Sequence, residues 1–456
     1  MANIKIAVIG AGGCFVVGLI HDICVTPSLH QSTISFMDIN PERLDNSYEL
    51  CKRYCAEFGV NLKIEKTLDR RAALAGADFV VTIALVDGPR RLSEGWRIAR
   101  ELGYKWPGSY HILYDEPFWL NFYQLRLFED ITRDMLELCP QAWHLLVSNP
   151  VLAATTWLQR KYPRCRMVGL CHGFAAAYAI PKGLGLPEGK FDFEIAGVNH
   201  FVWLTRATHE GRDIFPLLQQ WLTREARAYW DRKEPRAWYS CSDPLCPKAM
   251  DLFRQLGVIP IGDTANWTGA SWPWWYHSDP EVEKFWQTES EAPWFEYVKY
   301  IKNTPRRYQE MVADKSRKIA DEFKLGSNPS GEPMIPIMEA ITQDRSRVII
   351  VNMLNREEYV EGIPRDFEVE IPAMVSRRGI QGLKTTPLPR PMLAHILRDR
   401  VAPVEMELSA YEQGRRALLR QLILMDKWTR DLQHADDLID AIFALPYHAE
   451  LREHYK

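Results

Sequence analysis

Ile4-Lys5-Ile6-Ala7-Val8-Ile9, followed at once by Gly10-Ala11-Gly12-Gly13-Cys14-Phe15, is the stretch that decides the fold. An apolar run that stops on glycines and turns into a helix gathers free backbone N–H groups and a helix N-terminus at one point, which suits a pyrophosphate. Gly10 and Gly12 match the first two glycines of the dinucleotide fingerprint. Phe15 stands where the third is usual, so the close helix–strand contact has to be made differently. Gly10, Gly12, Gly13, Cys14 and Phe15 are therefore the expected cofactor-contacting turn. A second strand, Thr33-Ile34-Ser35-Phe36-Met37, ends in Asp38. A carboxylate there can accept both ribose hydroxyls and repel a 2′-phosphate, which favours NAD over NADP. The alternative is a plain glycine turn with Asp38 capping the helix that starts near Pro41.

Outward from this turn, strand-like runs alternate with helical stretches: Leu62-Lys63-Ile64, Phe79 to Ile83, His144 to Val147 and Met167 to Leu170. Such alternation predicts an α/β chain with a Rossmann-like, doubly wound parallel sheet and ligands at the carboxyl ends of its strands. Three candidate sites fall at such ends: Gly10 to Gly13, Ser148-Asn149-Pro150 and Cys171-His172. From about residue 190 the pattern loosens into a strand at Ile195 to Thr205, a tryptophan-rich stretch, and helices near 280 to 325. The closing segment, Tyr411 to Leu445, carries Leu418, Leu422 and Met425 at helical spacing, which points to core or subunit contact. The expected division is a dinucleotide-binding domain over 1–190 and an α+β substrate and oligomerisation domain over 191–456, an architecture like that of lactate and malate dehydrogenases.

The 456 residues carry a net charge of −3 with both signs interspersed, so no basic stripe marks a nucleic-acid partner. No apolar run approaches membrane-spanning length and no signal-peptide pattern opens the chain, from which a cytoplasmic enzyme is expected. Nine scattered cysteines make a disulfide framework improbable. Cys51 with Cys55, and Cys241 with Cys246, each lack a second ligand pair nearby.

Cys171, at a strand end, and His200, in Gly197-Val198-Asn199-His200, form the second informative pair. A thiolate and an imidazole can share a divalent ion and leave positions open for substrate oxygens. Spacing alone leaves open that both are ordinary buried residues.

Taken together, these motifs resemble glycoside hydrolase family 4, the NAD- and divalent-metal-dependent glycosidases that depart from two-carboxylate hydrolysis. The resemblance rests on Gly10-Ala11-Gly12-Gly13, Ser148-Asn149-Pro150, Gly169-Leu170-Cys171-His172, Gly197-Val198-Asn199-His200-Phe201, Ile259-Pro260-Ile261-Gly262-Asp263 and Phe367-Glu368-Val369-Glu370-Ile371-Pro372, in that order. Histidine after the cysteine is similar to the α-galactosidase, α-glucosidase and α-uronidase branches, and the Asp251 to Asp263 segment looks most like α-galacturonidases. The resemblance implies that Cys171 and His200 ligate manganese. It makes Asp263 the base at carbon 2 of the sugar and His172 an acid beside the scissile bond. Asn149 is then expected between sugar and nicotinamide, with Asn199 and Asp115 on the substrate side. It also implies an α-glycoside substrate, a galacturonide or glucuronide first among them, and a homodimer or homotetramer. The competing class is a metal-free NAD-dependent dehydrogenase of the lactate or malate type.

One segment departs from the family: where relatives carry Gly-Pro-Gly-Gly after an acidic residue, this chain reads Tyr114-Asp115-Glu116-Pro117-Phe118-Trp119. Asp115 can keep the acidic role, while aromatic bulk is expected beside the sugar pocket. Trp267, Trp272, Trp274 and Trp275 could stack on sugar faces or pack at a junction. Arg377, Arg378 and Arg390 could pair with a sugar carboxylate.

Overall fold

Lys5–Ile9 forms strand β1, and its alternate side chains enter two different cores: Ile6 and Val8 pack on one face of the sheet, Ala7 and Ile9 on the other. A strand buried on both faces reads as a continuous apolar run, as this one does. The computed structural model describes residues 3–232, 243–264, 272–288 and 291–456. Trp267 and Cys241, singled out above, lie outside the described residues.

Five more parallel strands join β1: β2 (Thr33–Met37), β3 (Lys63–Thr67), β4 (Phe79–Thr82), β5 (Trp143–Leu146) and β6 (Arg166–Gly169). Their spatial order, β3-β2-β1-β4-β5-β6, is that of a dinucleotide-binding sheet, with its reversal point between β1 and β4.

The second half of the chain adds to both this sheet and a smaller one. Strands β7 (Phe191–Val198), β8 (Phe201–His209), β9 (Arg212–Asp213) and β10 (Ile259–Ile261) make an antiparallel sheet with its own apolar core. Strands β11 (Arg347–Leu354), β12 (Glu368–Ser376) and β13 (Gly379–Gly382) then extend the first sheet antiparallel from β6, where Asn352 pairs with Gly169. The 1–190 and 191–456 division therefore cuts through a shared nine-stranded sheet.

Two local expectations are corrected. The strand expected over Ile195 to Thr205 is a hairpin: Val198 pairs with Phe201, leaving Asn199 and His200 as a two-residue turn. His200 takes φ +56° there, a conformation usually given to glycine or asparagine, so apolar flanks masked the turn. The closing helical segment is interrupted by Gly414 (φ +63°) and restarts at Arg416–Ile423 and Leu432–Phe443. Leu422 is buried, but Met425 falls beyond a helix end and is exposed. Among the described residues, no helix is long and apolar enough to cross a membrane.

Candidate active site

The glycine turn sits at the reversal point. Gly10 has φ +93°, and a β-carbon on it would lie 2.6 Å from the Ala84 backbone, so only glycine lets the turns after β1 and β4 approach this closely. Gly12 N–H donates to Asp38 Oδ2 at 2.9 Å, and Asn40 N–H donates to Oδ1 at 2.9 Å, which fixes the carboxylate at the end of β2. The helix Val16–Cys24 starts after Phe15 with no side-chain cap and no acidic residue in its first turn. Its first N–H groups thus remain free for an anion. Phe15 is exposed, and the Cys14 carbonyl accepts from Tyr308 Oη at 3.2 Å. Burial pushes the Cys14 thiol up to about 11, so it is a neutral wall of the turn.

Three loops converge beyond the ends of β6 and β10. Cys171 follows β6, and its Sγ accepts from Gly173 N–H at 3.3 Å. His200 comes from the β7–β8 turn. Asp263 follows β10 and Gly262, whose φ of +60° brings its α-carbon against Gly173, leaving a β-carbon only 2.7 Å from the Gly173 carbonyl oxygen. His200 Nε2 lies 3.1 Å from Asp263 Oδ2, and one donor atom each from Cys171, His200 and Asp263 lies within 4.8 Å of the others. The pair read from the sequence is therefore joined by a third donor, the residue expected as the base.

Charge explains what this cluster accommodates. Asp115, Glu116, Glu368 and Glu370 are buried around the His200 turn together with Asp263. Among the described residues no lysine or arginine lies within ion-pair distance of any of the five. Burial pushes Asp263 and Asp115 up to about 7 and Glu116 up to about 8. Burial also pushes Glu370 to about 7 and raises the Cys171 thiol, with Glu370 and Asp263 adding to the latter. Uncompensated buried carboxylates are costly, and a divalent cation would offset that cost. Thiolate, imidazole and carboxylate together suit a borderline divalent ion, so the donor set fits.

The remaining expected residues divide. Asn149 Nδ2 donates to Asp115 Oδ2 at 2.6 Å, and its carbonyl accepts from Gln124, so Asn149 and Asp115 stand together beside His200. His172 is apart from the donor cluster, its ring half-buried against Phe174 with Nδ1 3.7 Å from Glu332 Oε1. Burial lowers the His172 pKa and raises that of Glu332 to about 7. Asn199, expected to touch substrate, is instead fully buried. Its backbone N–H donates to Glu368 Oε2 (3.2 Å) and its Nδ2 to Glu370 Oε2 (3.0 Å), so it holds the His200 turn against β12.

The aromatic and arginine expectations are also redrawn. Phe118 and Trp119 point into the core at the start of the helix Phe118–Leu138, with Trp119 Nε1 donating to the Arg91 carbonyl at 3.0 Å, so they add no bulk at the sugar side. Trp272 packs edge-on against Phe201 and Trp203, while Trp274 and Trp275 lie at the surface. Arg377 and Arg378 occupy the exposed β12–β13 turn, seven residues along β12 from Glu370 and thus on the order of 20 Å away. Arg390 is exposed at the start of another helix. The arginine near the cluster is Arg400, buried with its guanidinium over the rings of Tyr110 (4.4 Å) and Phe201 (4.5 Å). Sequence reasoning missed Tyr110, Glu116, Glu332 and Arg400. It quoted Glu368 and Glu370 without a role, although two carboxylates on one face of an otherwise apolar strand are a signal.

Two family models match: "Family 4 glycosyl hydrolase" over residues 5–180, and "Family 4 glycosyl hydrolase C-terminal domain" over residues 195–429. An α-glucosidase of Erwinia rhapontici is 27% identical over 96% of this chain and 97% of its own. An α-galacturonidase of Thermoanaerobacter italicus is 26% identical over 95% of this chain and 94% of its own. A solved 6-phospho-α-glucosidase from gut microorganisms, in complex with NAD and Mn2+, superposes with a TM-score of 0.77 at 17% identity, covering 98% of each chain. The two models between them cover every strand except the first four residues of β7, and every residue of the converging loops. This chain belongs to the family 4 glycosyl hydrolases.

Proposed function

We propose that this protein hydrolyses α-glycosides, α-galacturonides or α-glucuronides first among them, by an NAD- and manganese-dependent sequence of oxidation, elimination, water addition and re-reduction. The observation that carries the reading is the meeting of Cys171, His200 and Asp263 donors within 4.8 Å at the carboxyl end of β6, in the fold that places the Gly10–Gly13 turn at its reversal point. The solved NAD and Mn2+ complex of the similar 6-phospho-α-glucosidase, and the α-galacturonidase relative, support the cofactors and the substrate class.

Gly10, Gly12, Gly13 and Phe15 frame the free helix N-terminus that would hold the pyrophosphate, and Asp38 stands where the ribose hydroxyls are read. Cys171 and His200 would hold the ion. When bound, NAD supplies a hydride acceptor for carbon 3 and the ion polarises the carbonyl so formed. Asp263, pushed up to about 7 by burial, is poised as an acceptor for the carbon 2 proton near neutral pH. His172 would pass a proton to the departing oxygen at carbon 1 from its imidazolium form; burial lowers its pKa and so makes that form a stronger acid, and Glu332 lies 3.7 Å from its Nδ1. Asn149, anchored to Asp115, presents its amide to the sugar hydroxyls. Residues 1–190 then act as the dinucleotide half and 191–456 as the sugar half, around one sheet, in a homodimer or homotetramer.

The test is release of p-nitrophenol from a panel of aryl α-glycosides and α-uronides. Release should require both NAD and Mn2+ and give no net NADH. Stoichiometric NADH without bond cleavage would make the protein a dehydrogenase and end the reading.

A further inference from the structure

His200 offers its two ring nitrogens to different partners. Nε2 faces Asp263 Oδ2 at 3.1 Å and the Cys171 donor. Nδ1 lies 2.7 Å from Tyr110 Oη and 3.4 Å from Glu116 Oε1, and Tyr110 Oη donates to that same Glu116 oxygen at 3.0 Å. Both partners on the Nδ1 side are buried.

Counting protons favours one direction for this chain of contacts. A phenol has one proton to give, and here it goes to Glu116 Oε1. That oxygen accepts whether or not the acid carries a proton on its other oxygen. Tyr110 Oη is then an acceptor toward His200, so the 2.7 Å contact is satisfied by a proton on Nδ1. The reverse arrangement would turn the Tyr110 proton toward Nδ1 and need Glu116 to give a proton of its own from Oε1 to Tyr110 Oη, leaving Oε1 and a bare Nδ1 facing each other at 3.4 Å with no proton between them. The separate 3.1 Å contact of Nε2 with Asp263 Oδ2 carries its own proton in the metal-free protein, which an ion would displace. The triad is also held rigidly. Tyr110 stacks on Tyr114 with centroids 4.3 Å apart, and the Arg400 guanidinium bridges the faces of Tyr110 and of Phe201, the residue after His200.

From this geometry we infer that Tyr110 and Glu116 are positioning residues: they keep a proton on His200 Nδ1 and so present Nε2 bare to a divalent ion. Metal-binding histidines are commonly oriented this way through their second nitrogen. Glu116 lies within the Tyr114 to Trp119 segment, and Tyr110 lies four residues before that segment. The consequence for metal binding rests on the reading of Cys171 and His200 as ligands; the proton position does not.

Two measurements test it. In metal-free protein carrying 15N-labelled histidine, with the His200 signals assigned by their loss in His200→Gln, Nδ1 should be the protonated nitrogen; a bare Nδ1 overturns the inference. In titrations with MnCl2 followed by electron paramagnetic resonance, Tyr110→Phe keeps the ring and its stacking, and should bind Mn2+ about 10- to 100-fold more weakly while NAD affinity stays at the wild-type value. Equal Mn2+ affinity overturns the inference. Should Tyr110→Phe not fold, the wild-type nitrogen spectrum decides alone. A wild type that binds no Mn2+ sinks the ligand reading instead, and leaves the proton position to be judged from the spectrum.

Discussion

Gly262→Ala tests whether the two ligand-bearing loops are coupled as the structure has them. Gly262 has φ +60°, and an added β-carbon would sit 2.7 Å from the Gly173 carbonyl oxygen and 2.8 Å from its carbon and α-carbon. The left-handed conformation costs an alanine about 1–2 kcal/mol. Overlap with rigid backbone adds about 1–3 kcal/mol, so a total loss of roughly 2–5 kcal/mol is expected. The overlap is about 0.7 Å short of ordinary contact, and it is relieved only if the Cys171–Gly173 loop and the Gly262–Asp263 loop move apart. Metal–ligand distances tolerate only about 0.2 Å, so Mn2+ affinity should fall at least tenfold while NAD affinity, which depends on the turn after β1, is unchanged. Gly185→Ala is the control: Gly185 has φ +70° with open space where a β-carbon would go, so it carries the backbone cost without the overlap. Thermal unfolding and Mn2+ titration of both variants decide the matter. If Gly262→Ala loses no more stability than Gly185→Ala, or binds Mn2+ like wild type, the loops are not in the contact described.

Cys171→Ser should abolish turnover and leave NAD binding intact, measured by aryl glycoside hydrolysis and a dinucleotide titration; turnover that survives in chelator removes the cysteine from the metal. Asp263→Asn should stop solvent deuterium from entering carbon 2 of the product, followed by mass spectrometry, and continued exchange there would place the base elsewhere. Without metal, stability should fall as pH rises from about 5 to 9. Burial holds Asp115, Asp263 and Glu370 near 7 and Glu116 near 8. The folded state thus binds more protons than the unfolded chain above about pH 4, and that advantage disappears as pH passes through the folded values. Added Mn2+ should restore the loss at pH 8, and a melting temperature flat across this range without metal would contradict the buried-carboxylate picture.

The first sheet was legible because β1, β2 and β4 to β6 are apolar runs separated by helical stretches, and the turn at Gly10 announces itself by composition. Cys171, His200 and Asp263 were legible as members of motifs. Their convergence was not, because it depends on three loops that only the strand order brings together. Strands β11 to β13 were missed as an extension of the first sheet because the pairing of β11 with β6, between segments nearly two hundred residues apart, leaves no local periodicity. Asn199 was misread for a related reason: its neighbour His200 is a ligand candidate, but Asn199 itself is spent on Glu368 and Glu370, which come from β12.

That last contact explains why a histidine can occupy a left-handed turn position at all. Non-glycine residues there are strained by about 1–3 kcal/mol and persist only where the surroundings over-determine them. Here the backbone N–H and the side-chain amide of Asn199 are both tied to fully buried carboxylates, and Tyr110 fixes the His200 ring from the other side. The carboxylates in turn are costly without a cation beside them. The strained turn and the buried carboxylates behind it are thus two parts of one arrangement, which an ion between His200 Nε2 and its neighbours would stabilise. Metal-free protein should accordingly show faster amide exchange at Asn199 and His200 than the Mn2+-bound protein, and Mn2+ should slow it there more than in β1. Equal protection of the turn with and without Mn2+ would break the link between the two.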